Sequence, residues 1–243
     1  NVSKLYFADL LGAGLSVFVF IFLMPLFGGN GTIVFVAVIG LFAAVIFSFA
    51  NHKVLSIISF VLIAVSLSFL ISKDEQLPIG VSPNKQFVNL MSERPDLVLL
   101  SEWNSFSKVD VLIDEDEPAD GYKLYIAVID AGNATTNIPN VKTLPPAIKP
   151  ADASNLAFAN SDTVNNVFII GSAGGGEILT SLYYGAKKVV GVEINGILNK
   201  LISSTLSYWT GPLIRSNPKV EIITDDARSV INRKDTKYDV IIS

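Results

Sequence analysis

The sequence predicts an α-helical membrane segment followed by an α/β region with a doubly wound parallel sheet. Half of the 243 residues are hydrophobic, 16% are charged, and the mean hydropathy is +0.50. Soluble domains usually carry about a quarter charged residues. The charge is also unevenly spread, because no Asp, Glu, Lys or Arg occurs from Leu10 to Asn51 or from Val54 to Ser72. Part of the chain therefore belongs in a membrane.

Three apolar runs lie within residues 1–73, at about 10–27, 33–50 and 54–72. Each is close to the ~20 residues that cross ~30 Å of hydrocarbon as a helix. The separators Gly28–Gly31 and Asn51–Lys53 are so short that neighbouring helices must be antiparallel. We therefore expect three transmembrane helices, a multi-pass integral membrane location, and the lipid bilayer as a partner.

The composition excludes several classes of chemistry. The chain has no Cys and one histidine, His52, which excludes disulfides, thiolate nucleophiles, zinc clusters and Ser-His-Asp hydrolysis. We expect no metal site. The net charge is -4, the isoelectric point is near 5.0, and no basic stripe is present, so we expect no nucleic-acid partner. The oligomeric state does not follow from the sequence.

A small β-region is expected over residues 85–130. Its short strand patterns lie at Leu97–Leu100, Lys108–Ile113 and Lys123–Val128. Residues 131–166 are rich in Asn, Thr, Pro, Ala and Ser and show little periodicity, so they predict an irregular lid or linker.

From Val167 onward, strands and helices alternate. Strands are expected at 167–170, 188–192, 220–223 and 238–242, and helices at 177–184, 197–209 and 227–232. This order predicts a Rossmann-like parallel sheet, which binds ligands beyond the carboxyl ends of its strands. The chain starts at Asn1 without Met and ends within an apolar strand pattern. We therefore expect a fragment in which 167–243 is the first half of a nucleoside-binding domain, truncated at the C-terminus.

Three features at successive strand ends predict a nucleoside site. A glycine-rich turn, Gly171–Gly176, follows the first strand and allows close approach of a ligand to the backbone. Glu193 ends the second strand, 193 − 171 = 22 residues after the first Gly, where a carboxylate accepts from ribose hydroxyls. Asp225 and Asp226 end the third strand, where a carboxylate can accept from the amine of a base; Asp226 as a helix cap is the alternative.

The cofactor class follows from one position in the turn. Dinucleotide sites prefer the pattern G-x-G-x-x-G, and Ala173 stands at the second glycine, where a side chain hinders a pyrophosphate. The pattern therefore disfavours NAD.

Two stretches resemble a known family: "VFIIGSAGGGEILTSLYYGAKKVVGVEIN" and "VEIITDDARSVINRKDTKYDVIIS" are similar to the spermidine/spermine synthase group of S-adenosylmethionine-type transferases. "YFADLLGAGL" and the apolar runs resemble polytopic membrane proteins that carry a spermidine synthase-like domain. "EWNSFSKVDV" and "YIAVIDAGNATT" resemble the small β-region that precedes the nucleotide fold in that group.

The resemblance implies S-adenosylmethionine or decarboxylated S-adenosylmethionine as cofactor. It implies that four residues of the turn face the methionine-derived end: Gly171, Ser172, Gly174 and Gly175. It places the ribose on Glu193 and the adenine at the Asp225-Asp226-Ala227 stretch, with Asp226 and Ala227 in contact with the base.

The chain also departs from the aminopropyltransferases of that group. Gly174 stands where they carry an acidic residue. Their polyamine-receiving Gln and Tyr-His-Glu stretch is replaced by Ala134 and Asn137-Ile138-Pro139. Their catalytic Asp would follow Ser243, so the base is expected beyond the chain. Asp130 is the remaining candidate for substrate contact, with a turn-capping role as the alternative.

The function expected from these features is a membrane-anchored transferase that moves an alkyl group, aminopropyl or methyl, to a small-molecule amine or other nucleophile. A nucleoside cofactor places the soluble domain in the cytoplasm. Two alternatives stay open: a non-catalytic nucleoside-binding sensor coupled to the membrane helices, and a transporter-like membrane protein with a regulatory transferase-fold domain.

Overall fold

The computed structural model describes residues 2–72, 85–113, 124–139, 153–159 and 164–243. They divide into two compact units. The first unit holds the N-terminal helices and the loop 102–108, and the second holds the remaining described residues from 86 onward. Parts of the expected β-region and of the expected lid, at 114–123, 140–152 and 160–163, lie outside the described residues.

The helices are α1 (Val2–Ser48), α2 (Lys53–Ser72), α3 (Gln86–Glu93), α4 (Gly176–Tyr183), α5 (Gly196–Lys200), α6 (Ser207–Thr210), α7 (Pro212–Arg215) and α8 (Ala227–Arg233). The strands are β1 (Val98–Trp103), β2 (Lys108–Ile113), β3 (Leu124–Ile129), β4 (Ala134–Pro139), β5 (Asn166–Ile170), β6 (Lys188–Glu193), β7 (Val220–Thr224) and β8 (Val240–Ile242). Short 3₁₀ turns lie at Pro95–Leu97 and Ala153–Phe158, and a π-helical turn at Leu201–Thr205.

The structure has fewer candidate membrane spans than the sequence predicts, because one helix, α1, includes two of the expected apolar runs. Within the described residues two helices, Val2–Ser48 and Lys53–Ile71, are long and apolar enough to cross a membrane, instead of three. The residues on both sides of Gly28 within the expected separator are helical, and α1 is kinked at Gly28, which has φ 66° and ψ −175°. Glycine reaches this left-handed conformation without a Cβ clash. A Cβ on Gly31, just after the kink, would lie 2.7 Å from the Cβ of Phe27.

The second half of α1 pairs with α2 as an antiparallel hairpin. Val38 and Val45 pack against Ile63. The hydroxyl groups of Ser48 and Ser56 lie 2.8 Å apart at the closed end of the hairpin. Most other apolar side chains of both helices are exposed within this structure, which is the surface that an apolar solvent would cover.

The small sheet has the strand order β1-β2-β3-β4, and β3 pairs antiparallel with both β2 and β4. Strand β4 lies inside the segment that was expected to be irregular, and it pairs with β3 from Ile129↔Ala134 onward. The hydrophobic periodicity of the sequence does not predict β4, because Ile138 is the one buried residue among the described side chains of this strand. An edge strand with one buried residue carries no alternating pattern.

The second sheet is parallel, with strand order β7-β6-β5-β8. Its two faces are both covered. Val167, Ile169 and Val189 face a core that includes residues of α4 and α5, and on the other face Phe168 and Val190 pack with residues of α8. The expected α/β region with a parallel sheet is therefore confirmed.

Asp239 ties the start of β8 to the start of β5. Its Oδ2 accepts from the backbone N–H groups of Asn165 and Asn166, both at 2.8 Å, and its own N–H donates to the carbonyl of Asn166 at 2.9 Å. The N–H of Asn166, followed by that of Asn165, holds the pKa of Asp239 below its usual value of 3.8.

A lowered folded-state pKa means that this contribution to stability is present above pH 3.8 and is lost as the pH falls through the folded value. We expect Asp239→Asn to lower the Tm at pH 7, and the difference from the unsubstituted chain to shrink below pH 3.8. Thermal unfolding of the chain in detergent, followed by circular dichroism, measures this. Asp235→Asn, an exposed carboxyl in the same connection, is the control. A Tm difference that is constant with pH would contradict the prediction.

Candidate nucleoside-binding site

The parallel sheet brings most of the predicted site residues to one edge. The glycine-rich turn follows β5, Glu193 ends β6, and Asp225 follows β7. Ile170 of β5 pairs with Val192, and Glu193 pairs with Thr224 of β7. Because neighbouring parallel strands end at the same edge, these groups lie around one set of strand tips.

Glu193 joins two turns at this edge. Its side chain is buried, at 7% exposure. Oε2 accepts from the N–H of Ala173 at 3.3 Å, and Oε1 accepts from the N–H of Asn195 at 2.8 Å. An ionised carboxylate offers about four acceptor positions. The two backbone bonds therefore orient the group and still leave acceptor capacity toward a hydroxyl.

The backbone amides of the glycine-rich turn are directed at the protein itself. The N–H groups of Gly171 and Ser172 both donate to the carbonyl of Val192, and that of Ala173 donates to Glu193. The N–H of Gly174 donates to the hydroxyl of Thr136, and that of Gly175 donates to the carbonyl of Ser172. A pyrophosphate site needs such amides to point at the ligand. In this turn the N–H groups of residues 171–175 all donate to acceptors of the protein.

Packing against protein groups covers three of the four turn residues that the resemblance assigned to the methionine end. Ser172 is buried against Gly191, where a Cβ would lie 2.8 Å from the Ser172 Cβ. A Cβ on Gly174 would lie 2.0 Å from the carbonyl oxygen of Asn137, and one on Gly175 would lie 2.7 Å from Cδ1 of Ile214. Gly171 is the exposed member of the four, beside Glu193.

The two carboxylates after β7 have partners within α8. Asp226 caps the helix, because its Oδ1 accepts from the N–H of Ser229 at 2.8 Å. Asp225 pairs with the guanidinium of Arg233 and accepts from the N–H of Asp226 at 2.7 Å. The guanidinium of Arg233 holds the pKa of Asp225 below its usual range. The N–H of Ser229 does the same for the pKa of Asp226. The capping alternative is thus realised, and the adenine role of Asp225, Asp226 and Ala227 stays a prediction.

Asp130 lies in the turn between β3 and β4. Asp130 and Ala131 both have a positive φ, 49° and 59°. The carbonyl of Ile129 accepts from the N–H groups of Gly132 and Asn133, at 3.1 and 2.9 Å, and closes this turn. The expected substrate contact of Asp130 stays a prediction.

Asn199 is a polar residue of the strand tips that the sequence reading did not single out. Its Nδ2 donates to the carbonyls of Glu193 and Ile223 and to the hydroxyl of Thr224, at 3.3, 3.2 and 2.8 Å. The side chain is 5% exposed and links the ends of β6 and β7. The available signal was an amide between two apolar pairs, Ile197-Leu198 and Leu201-Ile202.

The small sheet is held against the parallel sheet by aromatic residues. The rings of Tyr125 and Trp209 stack with centroids 4.1 Å apart, and Nε1 of Trp209 donates to the carbonyl of Ile138 at 3.1 Å. Burial, together with a hydrogen bond to Tyr208, raises the pKa of Tyr125 to about 12. These contacts keep β4 over the glycine-rich turn, where Thr136 meets Gly174.

No protein-family model and no curated protein matches this chain. Among solved structures the chain is similar to spermidine synthase from Thermotoga maritima, with 16% identity and a TM-score of 0.43 over 61% of this chain and 47% of that one. It is also similar to a spermidine synthase in complex with the transition state analogue AdoDATO, with 17% identity and a TM-score of 0.43 over 61% and 48%. The chain spans about half the length of these structures.

Gly174 and Gly176 provide a matched test of the turn. We expect Gly174→Ala to lower the free energy of unfolding by about 1–3 kcal/mol, because the new methyl group would meet a backbone carbonyl that cannot move aside. Gly176→Ala meets nothing within 4 Å and lies in the first turn of α4, so it should leave stability unchanged or raise it. Chemical denaturation measures both. Equal effects of the two substitutions would contradict the packing described here.

Asn199→Leu tests the link between the strand tips. It keeps the branching of the side chain but removes the donor from one buried and two partly buried oxygen atoms, so we expect a loss of about 1–3 kcal/mol in the free energy of unfolding. Asn232→Leu, at an exposed position of α8, is the control and should stay within about 0.5 kcal/mol. An Asn199→Leu chain as stable as its control would show that these bonds contribute nothing.

Proposed function

We propose that this chain is a membrane-anchored transferase that binds S-adenosylmethionine or its decarboxylated form at the tips of β5, β6 and β7. It would transfer an alkyl group, aminopropyl or methyl, to a small-molecule amine or other nucleophile. The observation that supports this best is the buried carboxylate of Glu193, fixed by the N–H groups of Ala173 and Asn195 beside the exposed Gly171.

The ligand class follows from what this edge offers. Glu193 is an acceptor for a pair of ribose hydroxyls, and the turn keeps its amides for the protein. A diphosphate would therefore find few donors in Gly171–Gly175. A sulfonium nucleoside carries a ribose and a base but no phosphate, so its needs match this site better than those of NAD do.

The methionine-derived end bears on the choice between the two cofactors. The resemblance implies that an acidic residue at the place of Gly174 serves the amino end of decarboxylated S-adenosylmethionine. Here the carbonyl of Asn137 fills the space that any side chain at this position would need. The site lacks that charge at position 174, and we propose that it prefers S-adenosylmethionine, whose amine has a carboxylate beside it. The alternative is that Glu177, three positions on, supplies the missing acid.

The chemistry proposed for the site is a direct displacement. The nitrogen of the amine attacks a carbon next to the sulfonium, the C–S bond breaks as the C–N bond forms, and the sulfur leaves as a neutral thioether. The proton of the amine passes to a base. Such transfers depend on in-line alignment and on removal of water from the nucleophile. Asp130 is proposed to contact the amine, and no residue of this chain is assigned as the base.

The membrane anchor is part of the proposal. Helices α1 and α2 have the length and composition to cross a bilayer, and their apolar side chains are largely exposed in the structure. A nucleoside cofactor is available in the cytoplasm, so the second unit is proposed to lie on that side.

Equilibrium titration of the chain in lipid nanodiscs with S-adenosylmethionine, its decarboxylated form and NAD tests the cofactor. We expect S-adenosylmethionine to bind most tightly. Glu193→Gln should weaken its binding by about 1–3 kcal/mol, because an amide replaces an oriented acceptor. Glu221→Gln is the control, since this carboxylate pairs with Lys188 and Lys234 away from the strand tips. Tighter binding of NAD, or equal effects of the two substitutions, would overturn the proposal.

The same titration separates catalysis from sensing. Binding of S-adenosylmethionine followed by consumption of an amine supports the transferase. Binding without turnover of any amine would instead favour a nucleoside sensor.

A further inference from the structure

A loop distant in sequence from α1 packs on its bend. Residues Glu102–Lys108, here named the Trp103 loop, belong to the same compact unit as α1 and α2. The indole of Trp103 covers the bend: its Cδ1 and Nε1 lie 3.0 Å from the position of a Cβ on Gly28, and its Cη2 lies 2.9 Å from that on Gly29. A side chain at either glycine would displace the ring.

The bend lies at one end of the apolar hairpin. A Cβ on Gly31 would be 3.5 Å from Cδ2 of Leu70, close to the end of α2, whereas Ser48 and Ser56 meet at the opposite end. The part of α1 that forms the hairpin, from Gly29 to Ser48, is close to the ~20 residues that cross a bilayer. If the hairpin spans the membrane, Gly28 and the indole that covers it must lie at a membrane surface.

The rest of the loop is built to present an apolar side chain. The Oδ1 of Asn104 accepts from the N–H groups of Phe106 and Ser107, at 2.9 and 2.7 Å, and the N–H of Asn104 donates to the carbonyl of Ser107 at 2.9 Å. This tight turn leaves the Phe106 ring 59% exposed. Tryptophan side chains next to the end of an apolar helix, such as Trp103 in this loop, are typical of the membrane–water interface.

We propose that the Trp103 loop is an interfacial anchor whose partner is the lipid bilayer. Trp103 lies at the level of the headgroups and packs on the bend of α1, and Phe106 enters the outer part of the acyl region. This inference depends on the proposed membrane anchoring of α1 and α2. It adds a second kind of membrane contact, made by a loop between two strands.

The chain contains two tryptophans and no cysteine, which gives two independent probes. Trp209→Phe leaves Trp103 as the one tryptophan, and Trp103→Phe leaves Trp209, which is stacked on Tyr125. In phosphatidylcholine vesicles with brominated acyl chains, we expect quenching of Trp103 to be several-fold stronger than that of Trp209. Bromine close to the headgroups should quench Trp103 more than bromine near the bilayer centre.

A spin label tests Phe106 without changing either tryptophan. A nitroxide on Phe106→Cys should be more accessible to oxygen than to a water-soluble nickel complex. The same label on Asn232→Cys, at an exposed position of α8, should show the reverse. This measurement decides the question if Trp209→Phe does not fold.

Vesicle flotation of the unlabelled chain is measured first. Flotation with strong quenching of Trp103 and an oxygen-accessible label at position 106 supports the proposal. Flotation with an unquenched Trp103 and a water-accessible label overturns the interfacial anchor and leaves membrane anchoring in place. A chain that does not float overturns both, while the nucleoside titration still tests cofactor binding separately.

Discussion

The candidate site depends on one interaction, the bridge that the Glu193 carboxylate makes between the N–H groups of Ala173 and Asn195. Burying a carboxylate costs free energy unless it is hydrogen-bonded, and bonds from backbone amides to an ionised group are the stronger kind. The bridge therefore fixes the turn after β5 and the turn after β6 in one arrangement. A ligand would meet an acceptor that is already oriented, so less of its binding energy is needed to order the site.

The glycines of this turn are required by neighbouring protein groups. Gly174 makes room for the carbonyl of Asn137 and Gly175 for the side chain of Ile214, while the amides of the turn bond to protein acceptors. In a dinucleotide site the same residue type opens the backbone to a pyrophosphate. A glycine-rich turn between a strand and a helix can therefore either pack closely against the protein or bind a pyrophosphate. The acceptors of its N–H groups show which of the two it does.

The sequence predicted the parallel sheet well because its central strands, β5 and β6, are buried on both faces. Continuous apolar runs such as Val167–Ile170 are strong signals, and the observed bounds differ little from those expected. The sequence did not predict β4, where one described side chain is buried. It also did not predict the structure at Gly28, where a single residue with positive φ bends α1 and helix follows on both sides. Asn199 was missed because its role depends on oxygen atoms of Ile223 and Thr224, which are distant in sequence.

The bend of α1 and the glycine-rich turn obey the same constraint in different surroundings. Gly28 and Gly29 leave room for the indole of Trp103, as Gly174 leaves room for a backbone carbonyl. In each case the residue without a side chain lies where a segment remote in sequence comes closest to the backbone. Sequence alone shows that such a residue is small. The remote segment decides which group fills the space and therefore which role the glycine has. Over the glycine-rich turn this segment is the edge strand β4, and over the bend of α1 it is the loop between β1 and β2.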